Sequence, residues 1–173
     1  MPLLLPVIII VSAWGTFQDI PTIAQLQERA QLRMRQDITT YGADGVRRLE
    51  ALYQAANRDL GSPDAVPILQ RVVKEFPKSN RAGSATLYLA QLTAGQVRED
   101  HLKAAIRSFG DTWYGNGVQV GALARLQLAQ VYLDAGRLED ARALAREIVE
   151  SYPGAVGHDG GLLNDTLREL KLR

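Results

Sequence analysis

The chain has no cysteine among its 173 residues and only two histidines. The first absence excludes disulfides, thiolate zinc sites, a cysteine nucleophile and lipid attachment through cysteine. It leaves the redox compartment open, because a cysteine-free chain tolerates either condition. The two histidines, His101 and His158, stand 57 residues apart, with no histidine partner at ligand spacing. Both read as exposed polar residues near helix ends, so no metal and no cofactor is expected. Net charge is also scarce: 20 basic and 19 acidic side chains leave +1. That balance argues against a nucleic-acid partner. Aromatics are few, while Ala, Leu, Arg and Gln are plentiful, a composition that suits helices.

Catalytic patterns are missing as well. None of the serines has a nucleophile-elbow context. Gly115-Asn116-Gly117 lacks the preceding strand and the Lys-Ser/Thr pair of a phosphate loop, and reads as a turn. Glu99-Asp100 and Glu139-Asp140 sit where charge favours a helix start, not at the separation of a catalytic pair. Trp113-Tyr114 reads as a packing pair between helices. A non-enzymatic role is therefore expected.

Residues 1–18 carry no charged side chain. The apolar run Leu3 to Val11 is shorter than the roughly 20 residues of a membrane span. Its length, and the small residues of Val11-Ser12-Ala13, suit a signal peptide, although no Lys or Arg precedes it. Export to a periplasm or cell envelope is expected. The alternative is an uncleaved segment on a membrane-tethered or cytosolic adaptor, where it offers a route to membrane association.

What remains is helical. Between Ala122 and Pro153, Leu123, Leu126, Ala129 and Leu133 recur at steps of three and four, as do Ala141, Leu144, Ala145 and Ile148. Gly136 separates the two helices and Pro153 ends the second. The same design recurs upstream. Phe76-Pro77, Tyr114-Gly115 and Tyr152-Pro153 fall at intervals of 38 residues. Leu52-Tyr53-Gln54, Leu89-Ala90-Gln91 and Leu128-Ala129-Gln130 lie 37 and 39 residues apart, late in the first helix of each pair. A helix is also expected over residues 19–41, capped by Asp19, with a stripe of Ile23, Leu26, Ala30, Met34 and Ile38 and with Arg29, Arg33 and Arg35 on a solvated face. Ser62 is expected to cap a helix that begins with Pro63, and a long turn over residues 96–100 to follow Gly95.

With Pro153 at the near-terminal proline, this stretch resembles the 34-residue tetratricopeptide (TPR) repeat: Ala129 and Ala141 take its small-residue positions, Tyr132 its tyrosine and Gly136 its turn. Arg125 stands where the family has a bulky residue. The resemblance implies an all-α fold, a right-handed α-α superhelix of about three TPR-like helix pairs over residues 44–77, 81–115 and 118–153. An N-terminal helix precedes them within residues 19–41, and a capping helix follows at about 160–171 of the 42–173 repeat domain. The chain is similar to bacterial envelope TPR proteins of the Tol–Pal-associated coordinator and outer-membrane assembly types.

The resemblance also implies a concave groove that takes a protein partner, as an extended peptide or a helix. It places Glu50, Leu87 and Leu126 there, with Gln54, Gln91 and Gln130 one turn on and Asn57, Ala94 and Leu133 beyond. Glutamine both donates and accepts, so the three could serve a peptide backbone. Leu128 is expected in the core. Leu128→Ala should lower stability by about 2–5 kcal/mol in urea denaturation.

Overall fold

The computed structural model describes residues 20–172. The signal-peptide-like segment 1–18 and the Asp19 cap lie outside the described residues. The described residues form seven helices: α1 (Ile23–Asn57), α2 (Ala65–Glu75), α3 (Asn80–Gln91), α4 (Gly95–Ser108), α5 (Val120–Asp134), α6 (Leu138–Ser151) and α7 (Leu163–Glu169). Among the described residues there is no strand, only two isolated β-bridges, and no helix is long and apolar enough to cross a membrane.

Each helix packs on the next in the chain, and α1 also meets α3, α3 meets α5 and α5 meets α7, whereas α2, α4 and α6 do not meet one another. Stacked pairs whose first helices lie closer together than their second helices form a curved α-α solenoid, with the first helices on the inner side. The TPR-like all-α architecture is the one observed.

Helix α1 supplies two layers. Thr22 begins it with a capping box: its hydroxyl accepts from the Gln25 N–H, and the Gln25 side chain accepts from the Thr22 N–H. Gly42 alone leaves the helical region, at φ 68° and ψ 170°. A residue with a Cβ rarely adopts that conformation, so the glycine divides α1 into a first arm (23–41) and a second arm (43–57). The N-terminal helix expected over 19–41 is thus separated from the first pair by this one residue. The second arm is the first helix of the first pair.

The repeat register differs from an even 38. Phe76, Phe109 and Tyr152 each donate a backbone N–H to the residue four back (Val72, Ala105, Ile148) and accept from the residue three on (Ser79, Thr112, Ala155). The three are therefore equivalent, and their spacings are 33 and 43. Tyr114 lies beyond its expected place, in a hairpin inserted before α5. Tyr114 N–H donates to Val118, Gly117 N–H to Tyr114 and Val120 N–H to Thr112. Forty-three residues later the pattern repeats before α7: Gly157 to Gly161, Gly160 to Gly157 and Leu163 to Ala155.

Three other expectations change. Asp64, not Ser62, is the residue before α2, and the Ser62 hydroxyl accepts from the Asp64 N–H. The turn between α3 and α4 is short, because residues 96–100 already belong to α4. On the first arm, Leu26 and Ala30 are buried, but Ile23 and Ile38 are about half exposed. The inward face instead continues through Arg33 and Asp37.

That arm straps the inter-repeat loops. Leu26 and Ala30 belong to the larger core, with Trp113, Leu128, Ile148 and Leu167. Gly117 abuts Leu26 so closely that a Cβ there would stand 3.0 Å from the Leu26 Cβ. A polar seam runs beside this contact. Asp37 is 4% exposed. Its carboxylate accepts from the Asn80 N–H, 3.1 and 2.9 Å from its two oxygens, and from Arg33 at 3.0 Å. The Asn80 side chain then pairs with the Trp113 backbone, donating to its carbonyl at 2.7 Å and accepting from its N–H at 2.8 Å. Arg33 also donates to the Lys78 carbonyl, and the Tyr41 hydroxyl accepts from the Lys78 N–H.

Leu128 is 3% exposed, inside the core as expected. Asp37→Ala should cost about 2–4 kcal/mol in urea denaturation, because it removes a helix-start acceptor, leaves the buried Asn80 N–H unpaired and takes from Arg33 its buried carboxylate.

Candidate protein-binding face

The kink at Gly42 opens a cleft between the two arms of α1. It measures about 370 Å³ and is lined by Gln31, Met34, Arg35, Asp37, Ile38, Val46, Glu50 and Arg81. Its size is at the small end of ligand pockets, which run from about 300 to 1,000 Å³. Met34, Ile38 and Val46 form an apolar wall, with Ile38 52% exposed.

The polar rim is largely self-paired. Arg81 donates to both Glu50 oxygens, at 2.6 and 3.0 Å. Its guanidinium also lies 4.5 Å from the Tyr53 ring centre. Burial opposes the Arg81 charge, but Glu50 and then Tyr53 outweigh it and hold the group above its ordinary value. Burial pushes the Asp37 carboxyl up, against the pull of the Asn80 N–H and Arg33. Both acids are committed. Arg35, on the exposed side of the first arm, has no ion pair among the described residues.

From Arg81 an aromatic series crosses the repeats. Tyr53 stacks on Tyr88 at 6.0 Å, Tyr88 meets Tyr114 edge-on at 6.0 Å, and Tyr114 meets His158 at 4.6 Å. Burial, then neighbouring Tyr88, drives the Tyr53 phenol well above its ordinary value, and burial does the same to Tyr114. These hydroxyls stay protonated at neutral pH and offer no base. Burial lowers His158 against the opposing pull of Asp159. Among the described residues no cluster of three His, Asp or Glu is placed to hold a metal ion.

The expected groove residues divide by pair. Glu50, Gln54 and Asn57 lie 26, 22 and 19 residues before Phe76, and Leu126, Gln130 and Leu133 lie at the same intervals before Tyr152. Gln54 is exposed; Asn57, Leu126, Gln130 and Leu133 are half-buried. Gln130 donates to Asp134 at 2.6 Å.

In the middle pair those intervals before Phe109 fall on Gly83, Leu87 and Ala90, all buried. Leu87 is fully enclosed in the core and has no surface for a ligand. Gln91 is the last residue of α3, and Ala94 lies outside it as the residue before α4. The expected middle rung is therefore one helical turn too far along the chain. The true rung is covered by the inserted hairpin: Gly83 abuts Thr112, and the Tyr114 hydroxyl reaches the Ser84 carbonyl at 3.5 Å.

The first arm's contribution to this face is absent from the sequence reading. The i, i+4 spacing of Arg33 and Asp37 is the signal that points to it. A double-mutant cycle on Glu50→Ala and Arg81→Ala, read by urea denaturation, should give a coupling of about 1–2 kcal/mol. That is below a fully buried pair because Glu50 keeps 34% of its side chain exposed.

Residues 123–155 match the family model described as tetratricopeptide repeat, which covers most of α5, all of α6 and the start of the following loop. No curated protein and no solved structure matches the chain. The matched stretch is the third helix pair, and repeats of this kind generally mediate contacts between proteins.

Proposed function

We propose that the protein is a non-catalytic adaptor that holds an extended peptide or a partner helix along the inner face of its first helices. The observation that carries this reading is the accessibility of that face at both ends of the solenoid. Gln54 and the α1 cleft are open at one end; Leu126, Gln130 and Leu133 are reachable at the other. Solenoids of stacked helix pairs present their concave surface to partners. The glutamines have spare donors and acceptors for a peptide backbone. The apolar run Leu3 to Val11 and the small residues after it support a place in the bacterial cell envelope.

A photo-crosslinking amino acid tests the face directly. Placed at Gln54 or Leu126 in the native cell, it should capture a defined protein. Placed at Arg107 or Arg146, on the second helices, it should not. Equal capture from both sides would remove the inner face as the binding surface. Replacing Gln54 and Gln130 together should keep the helical circular dichroism signal and weaken capture several-fold; unchanged capture would remove the glutamines from the mechanism. A secreted chain beginning near Trp14 would support export, and an intact Met1 would refute it.

A further inference from the structure

We propose that the cleft between the two arms of α1 is a specificity pocket for a partner peptide that presents an aliphatic side chain beside a carboxylate. This rests on the adaptor reading and names the chemistry of its partner. Four of the six large apolar side chains exposed among the described residues, Ile20, Ile23, Leu32 and Ile38, precede or lie on the first arm. Of these, Ile38 faces the cleft, where Met34 and Val46 complete an apolar wall. Covering that wall removes apolar surface from water, which favours an aliphatic guest.

Charge selects the guest's neighbour. The cleft contains two acids and two arginines. The acids are spent: Asp37 on Arg33 and the Asn80 N–H, and Glu50 on both donor edges of Arg81. Arg35 is left over, with no acidic partner among the described residues. An incoming cation would meet it with no free carboxylate to compensate. An incoming carboxylate finds a planar fork suited to bidentate pairing. The Glu50–Arg81 pair and the Tyr53 ring beneath it stay in place as a fixed floor. The cleft lies one helical turn from Gln54 along the second arm, so a peptide anchored there can continue over that accessible end of the inner face.

A random dodecapeptide phage library selected on the full chain tests this, with the selected peptides resynthesised and their affinity measured by fluorescence anisotropy. Enriched peptides should carry an aliphatic residue next to Asp or Glu. Ile38→Asp and Arg35→Glu, both surface changes checked by unaltered thermal melts, should each weaken them about tenfold. Lysine in place of the peptide's acid should restore binding to Arg35→Glu. Enriched peptides that lack an acid, or that bind both variants like the parent chain, would overturn the cleft assignment. If such peptides are instead lost on substituting Gln54 or Leu126, the adaptor reading survives without the cleft. A library that yields no binder would count against both.

Discussion

A buried carboxylate on the first arm of α1 holds the inter-repeat geometry. Asp37 loses nearly all its water, a cost that stands unless hydrogen bonds and a cation replace it. The replacement comes from the first backbone N–H of α3 and from Arg33 one turn earlier. That requirement fixes the start of α3 against the arm. Asn80, positioned by this bond, passes the constraint on by pairing with both backbone groups of Trp113. The arm, the loop after α2 and the hairpin before α5 are thereby tied into one polar chain. Leu26 and Ala30, on the same side of the arm, enter the larger core. The N-terminal helix is a structural member of the solenoid and not an appendage to it.

Much of this architecture was legible because helices and their ends leave local marks. The 3.6-residue stripes, Gly136 and the prolines after Phe76 and Tyr152 reflect backbone geometry that acts within a few residues. The repeat register was harder, for a specific reason. Phe109-Gly110 and Tyr114-Gly115 present the same aromatic-plus-small pattern five residues apart. Only the first closes a helix. The spacings of 33 and 43 average to 38, so the wrong aromatic gave an even period that looked self-consistent. The resulting error of four residues in α3 is one helical turn. It kept Leu87 and Gln91 on the correct side of the helix while moving each to the wrong rung. The expectation that Arg33 lies on a solvated face fails, and Asp37 goes unseen, because apolar periodicity scores arginine and aspartate as solvent-facing. Their burial depends on Asn80, 43 residues ahead of Asp37 in the chain.

The inserted hairpins change what an inner groove means here. A plain stack of pairs would offer three equivalent rungs to a partner. In this chain Thr112 and Tyr114 stand against Gly83 and the Ser84 carbonyl, and Leu87 is fully enclosed in the core, so the middle rung offers no surface to a peptide. Gly83 is needed there, since a Cβ would fall 1.9 Å from the Thr112 hydroxyl. The inner face is thus divided, with one accessible end at the second arm of α1 and the other on α5.

Division of the face raises the importance of whatever holds its two ends at a constant separation. The aromatic series runs from Tyr53 on α1 through Tyr88 on α3 and Tyr114 in the hairpin before α5 to His158 in the next hairpin, with ring contacts at 4.6 to 6.0 Å, two of them edge-on, and the Arg81 guanidinium rests on its first ring. Rings that pack on one another across repeats resist sliding, because a shift of one pair breaks contacts on both sides of it. Arg81 therefore belongs to two systems at once. It ends the stacked series and, through Glu50, forms part of the cleft. A change in repeat curvature would have to reorient the same guanidinium that shapes the cleft, so curvature and the shape of the cleft are linked in this fold.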